Sequence, residues 1–176
     1  MALNQTLRPG LIQLRVLDLD KTLDFYKNIL GLDEVTRTAD GRVCLKTYDE
    51  FDRHSVTLRK ADEAGLDSVA FKVDSEETLD RMAKETEAFG YPVTEIPANT
   101  DQPGFGRRFR FTICTGHVFE LYATVDLSPK HPGLLNPDIW EEQPHGMGVI
   151  RLDHFLLYGP NIVEAEHYCT EVLKMY

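Results

Sequence analysis

A chain of 176 residues, 42% hydrophobic and 27% charged, is long enough to bury one or two cores and too apolar for a disordered segment. Its formal net charge of -10 repels phosphate backbones, and no cluster of Lys and Arg set among aromatics overrides that field, which excludes nucleic acid as a partner. No stretch nears the roughly 18 apolar residues of a membrane span, MALNQTLRPG lacks a signal-peptide core, and Cys44, Cys114 and Cys169 form no CxxC pair, so reduced, packed thiols in a cytoplasmic protein without membrane contact are expected.

Leu11, Leu14 and Val16 form a short β-favouring run that ends at Asp18, a good N-cap. Leu19, Leu23, Tyr26 and Leu30 recur at helical spacing up to Gly31, where a C-cap wants positive φ. Three strands are predicted next, over 33–38, 42–48 and 54–60, with Ala39-Asp40-Gly41 as the first turn. The same order then returns. A strand over 66–73 leads through Asp74-Ser75 to a helix with Leu79, Met82, Ala83, Thr86 and Phe89 on one face, closed by Gly90. Extended runs over 92–97, 107–114 and 117–124 follow, the last two joined at Thr115-Gly116.

A third copy begins with a predicted strand over 150–158 and a helix that starts near Pro160 and carries Ile162, Ala165, Cys169 and Val172 on its apolar face. No strand follows it. The stretch 126–148, with Pro129, Pro132, Pro137 and Pro144, reads as a linker with one short helix over 137–142. The expected organisation is therefore a domain over 1–125 made of two βαβββ units, about 9–62 and 65–125, then the linker 126–148, then the truncated start of a second domain over 149–176. Aligned by eye, Leu11-Ile12-Gln13 faces Leu66-Asp67-Ser68 and Leu152-Asp153-His154, and Gly31 faces Lys174, where a side chain is costly and the third helix is expected to fray.

An α+β fold of repeated βαβββ units resembles the vicinal oxygen chelate, or glyoxalase-like, fold. The words RPGLIQLRVLDLDKTLDFYKNILGL, DGRVCLKTYDEFDRHSVTLRKADEAGLD, GRRFRFTICTGHVFELYA and IRLDHFLLYG narrow it further. They resemble the extradiol catechol 2,3-dioxygenases over nearly the whole chain. That resemblance implies an Fe(II)- and O2-dependent opening of catechol or an alkylcatechol to a 2-hydroxymuconic semialdehyde, by a homo-oligomer when full length. It implies an iron site of two His and one Glu, which leaves adjacent positions for a diol and O2. Of these ligands only the first has a counterpart, His154 in Arg151-Leu152-Asp153-His154-Phe155. Leu156, two residues on along the same strand face, is a candidate for the aromatic pocket or for plain packing. No catalytic acid or base is expected within the chain.

At the equivalent positions of the first two units stand Gln13, Ser68 and Glu120, a poor donor set for a transition metal, so the domain 1–125 is expected to be metal-free, with Glu120 hydrogen-bonded or solvated. One His of three cannot retain iron, so residues 1–176 are expected to bind no stoichiometric Fe(II) and not to turn over alone. His54, His117, His131, His145 and His167 show no metal-ligand spacing and read as surface or turn residues. Arg107, Arg108 and Arg110 read as a solvated hairpin face, and Glu76, Glu77, Asp80 and Glu85 as a solvated helix face. Two rivals stand beside the dioxygenase reading. One is a non-catalytic small-ligand-binding module of the same fold. The other is a metal isomerase or thioltransferase of the superfamily, which would need a His at position 13 or 68.

Overall fold

The structure, a computed structural model, describes residues 5–128 and 144–175. The first unit comprises β1 (Thr6–Val16), α1 (Leu19–Asp24) continued by a π-helical turn (Phe25–Ile29), β2 (Asp33–Arg37), β3 (Val43–Lys46) and β4 (Val56–Lys60). The second comprises β5 (Gly65–Val73), α2 (Glu76–Phe89), β6 (Thr94–Ile96), β7 (Arg108–Thr112) and β8 (Val118–Tyr122). Helix α3 (Ile162–Glu171) comes last. Both expected βαβββ copies are present, in the expected order.

Local chemistry accounts for the helix boundaries. Asp18 Oδ1 accepts from the Lys21 amide at 3.0 Å and so satisfies one free donor of the first turn of α1. At the other end the Leu30 amide reaches back to the Phe25 carbonyl at 3.0 Å, and Gly31 follows with φ +84°. A Cβ on Gly31 would stand 2.0 Å from the His145 carbonyl oxygen, so both the backbone angle and the space require glycine there. Ser75 Oγ caps α2 by accepting from the Thr78 amide at 3.1 Å, and Gly90 ends the helix in the left-handed region. Lys174 takes the same conformation, φ +55°, as its alignment with Gly31 anticipated.

In each unit the first and last strands lie side by side and parallel. β1 pairs with β4 in the register Gln13↔Thr57, and the order in that part of the sheet is β2-β3-β4-β1. β5 pairs with β8 in the register Ala70↔Glu120, and the order there is β5-β8-β7-β6. With side chains alternating along each strand, Ile12, Leu14, Val56 and Leu58 fall on the face that packs on Leu23 of α1, with Leu32, Val43 and Leu45 completing the core. Fully burying a side chain such as Leu45 or Leu58 contributes about 1.5–3 kcal/mol relative to exposure. In the second unit Phe71, Phe111 and Phe119 pack together, with ring centroids 5.2 and 6.2 Å apart, and Leu79 and Met82 of α2 are fully buried.

The packing groups residues 11–67, 126–128 and 144–152 into one compact unit, and residues 5–10, 68–125 and 153–175 into another. The ends of the expected linker are thus bonded into the first: the Met147 and Val149 amides donate to the Ile29 and Leu30 carbonyls at 2.8 and 3.2 Å, and Asp52 forms a bridge with Leu127. Buried backbone groups need such partners, which is why the described polar ends of this stretch still pack. The short helix expected over 137–142 lies outside the described residues.

Three expectations need correction. Residues 151–160 form no strand, because a strand needs a neighbour to complete its ladder and none of the described strands pairs with them. Helix α3 begins at Ile162 with Asn161 as N-cap, so Pro160 lies before the helix rather than in its first turn. His54, expected at a surface or turn, is fully buried. Its neighbours Ser55 and Val56 are buried too, so the start of β4 runs through the interior.

Candidate functional site

His154 lies between Leu152 and α3 with its side chain 80% exposed, and its Nδ1 is 3.1 Å from Asp153 Oδ2. Among the described residues no three His, Cys, Asp or Glu side chains are grouped so as to hold a metal ion. The donor set around His154 therefore does not fit a complete iron site. Leu156 is 72% exposed and stands outside the buried core. Its neighbour Phe155 turns inward, its ring 5.4 Å from Phe71 and nearly perpendicular to it. His154, Phe155 and Leu157 line an open groove of about 630 Å³ floored by Phe71 and Phe119, with Lys174 also at its wall.

The structure brings two of the three equivalent positions of the earlier units together. Ser68 Oγ donates to Glu120 Oε1 at 2.9 Å, across 52 residues of sequence, and both side chains are buried. This follows from the parallel pairing of β5 with β8 and from the period of two that points Ser68 and Glu120 the same way. Gln13 is buried in its own unit, on the strand position opposite Thr57.

The reading of Arg108 as solvated is overturned, because its side chain is fully buried. Arg108 Nε donates to Glu120 Oε2 at 2.9 Å, and its Nη2 donates to Asp101 Oδ1. Arg110, which faces Glu120 across the antiparallel β7–β8 ladder, donates to Glu120 Oε1 from Nε at 3.0 Å and Nη2 at 2.7 Å, and to Asp101 Oδ2 at 3.1 Å. A carboxylate buried in a sheet needs a counter-cation or many donors. Glu120 has both. The clue in sequence was the alternation Arg108-Phe109-Arg110-Phe111, which puts two guanidiniums on one face and two rings on the other. Arg107 likewise bonds Glu76 and Asp80 at 2.9 and 2.7 Å, so the helix face read as merely solvated is partly tied down.

Helix α3, which follows the His154 segment, is held by polar contacts set among aromatic rings. The Tyr168 hydroxyl lies 2.8 Å from Thr86 Oγ1 with both residues fully buried, and Tyr91 Oη donates to Glu164 Oε1 at 2.8 Å. Burial pushes both phenol pKa values well up, and hydrogen bonds with Cys114 and Glu164 push that of Tyr91 further. Asn161 Nδ2 donates to the Cys114 carbonyl at 3.3 Å at the start of the helix. The Phe89, Tyr91 and Phe111 rings surround Tyr168 at 5.2, 4.9 and 5.8 Å.

A repeated βαβββ unit with parallel first and last strands is the vicinal oxygen chelate class of fold. Within it residues 66–126 match the catechol 2,3-dioxygenase-like N-terminal domain family. The chain is 43% identical over 172 residues to a metapyrocatechase of Pseudomonas sp. (strain CF600), across 97% of this chain and 55% of that protein. It is 27% identical to a manganese-dependent 2,3-dihydroxybiphenyl 1,2-dioxygenase of Geobacillus genomosp. 3, across 92% of this chain and 51% of that protein. Among solved structures it superposes on the 2,3-dioxygenase LapB from Pseudomonas sp. KL28 with a TM-score of 0.91 at 40% identity, covering 98% of this chain and 60% of that one. A Mn(II)-bound glyoxalase from Novosphingobium aromaticivorans gives 0.81 at 29% identity, over 96% of this chain and 53% of that one. The chain thus spans about half the length of the relatives it matches.

Proposed function

We propose that this chain is part of an extradiol ring-cleaving dioxygenase, which opens catechol or an alkylcatechol to a 2-hydroxymuconic semialdehyde with Fe(II) and O2 in aromatic catabolism. The observation that carries the reading is the 43% identity to a metapyrocatechase across 97% of the chain. In this reading residues 1–125 are a metal-free domain, 126–148 a linker and 149–176 the start of the catalytic domain, in a cytoplasmic homo-oligomer. His154 supplies one of three iron ligands and Leu156 a wall of the aromatic pocket. When bound, iron would hold the diol and O2 on adjacent positions. No step of the ring opening is assigned to the described residues, since the other two donors are not grouped with His154.

The test is a chimera in which residues 1–176 replace the matched half of the Pseudomonas metapyrocatechase. Loaded anaerobically with Fe(II), it is expected to bind one iron per chain and to give yellow ring-cleavage product from catechol. His154→Ala in the chimera should lose both, and residues 1–176 alone should retain no stoichiometric iron. A folded chimera without ring cleavage, or full activity in the His154→Ala form, would overturn the assignment.

A further inference from the structure

Two carboxylates and an aromatic ring converge on one buried cation in the second unit. The guanidinium of Arg108 is gripped by Glu120 on one side and Asp101 on the other, and its carbon lies 5.8 Å from the centroid of the Phe105 ring, which is itself 1% exposed. Phe105 is braced by Tyr122 with centroids 4.8 Å apart. The Asp101 loop is folded to this shape by its own bonds: the Gly104 amide donates to Asn99 Oδ1 at 2.7 Å and the Asn99 amide to the Phe105 carbonyl at 3.0 Å. Paired carboxylates with an aromatic face are the chemistry by which proteins recognise guanidinium ligands.

We propose that Asp101, Phe105 and Glu120 form a guanidinium-binding site whose ligand is the chain's own Arg108. The site is complete within the second unit and does not depend on ring cleavage. Its charges balance: Arg108 and Arg110 stand against Asp101 and Glu120. A divalent ion would have to displace a guanidinium already bonded on both sides, so the internal cation closes Glu120 to metals and to external ligands. This is a physical reason for the second unit to carry a carboxylate in a metal-free site, and it disfavours this face as the cup of a ligand-binding module.

The experiment is chemical rescue in residues 1–176. Arg108→Ala leaves a guanidinium-sized space beside two carboxylates and one remaining arginine, and breaking such a pair is expected to lower Tm by about 10 °C. Ethylguanidinium at about 10–50 mM should return at least half of that loss by mass action. It should not raise Tm in the unsubstituted chain or in Arg108→Ala/Glu120→Gln. Should Arg108→Ala not fold unaided, refolding with ethylguanidinium present is expected to recover it. Arg108→Met/Glu120→Met removes one charge of each sign and should fold with a Tm near that of the unsubstituted chain. An Arg108→Ala Tm equal to the unsubstituted one, rescue that persists without Glu120, a double variant that fails to fold, or an Mn(II)-induced Tm rise in the unsubstituted chain that Glu120→Gln removes would each overturn the proposal.

Discussion

Single charges in this chain act through their immediate partners, and Glu34 shows how. Hydrogen bonds from Arg37 and then Lys27 hold its carboxyl at about 2, against a usual 4.5. A depressed carboxyl stabilises the fold at pH above the unfolded value and loses that contribution as pH falls through the folded value. The Tm gap between the unsubstituted chain and Glu34→Gln is therefore expected to be full above about pH 4.5 and to shrink to nothing near pH 2. Because Lys27 and Arg37 are 40% and 55% exposed, the gap should stay under about 1 kcal/mol and fall with salt. Melts across pH 2–7 check it; a gap that widens toward low pH contradicts the pairing. The same local logic was only half legible beforehand. A run such as Arg108-Phe109-Arg110-Phe111 says which side chains share a face, but not that Arg108 on the polar face is as fully buried as the rings on the other. That follows only once β7 is laid against β8 and Asp101 folds over it.

Elements were read well from sequence wherever periodicity and caps agreed. Asp18, Ser75, Gly31 and Gly90 each stand where a helix starts or stops, and both strand-helix-three-strand copies came out in order. The misses have a common cause. A strand is a statement about neighbours, so the apolar alternation of 150–158 predicted one that the described partners do not complete. Helix α3 is the reverse case, since its place depends on contacts no local pattern reveals. Tyr168→Phe deletes the hydroxyl that meets buried Thr86 and strands that group, at a cost of about 1–2 kcal/mol, or roughly 2–6 °C in Tm. Adding Thr86→Val should return most of the loss, because a pair of apolar groups replaces the hydrogen bond. A strictly additive double variant would show that the two hydroxyls do not couple.

At the scale of the whole molecule, the resemblance to the extradiol dioxygenases was legible because four long sequence words occur together. The completeness of the site was not, because donors converge only in space. His154 could be named from its motif, yet the structure gives it Asp153 as neighbour, and among the described residues no group of three metal-binding side chains. Leu156 tests what the resemblance adds. In residues 1–176 its exposure means that Leu156→Glu should change stability by no more than about 0.5 kcal/mol. In the metapyrocatechase chimera the same change should lower ring cleavage at least tenfold by placing a charge in the aromatic pocket. Equal rates would remove Leu156 from that pocket.

The parallel pairing of the first and last strands of each unit has a consequence for descent. Ser68 and Glu120 are 52 positions apart yet touch, so every duplication of the unit creates a facing pair at once, without waiting for the fold to be rebuilt. Such a pair can be recruited or retired by replacing side chains alone. In this chain one pair has been turned inward as an ion cluster, while the segment carrying His154 holds its imidazole toward solvent. Copies of one unit can thus drift to different trades while their backbones stay interchangeable.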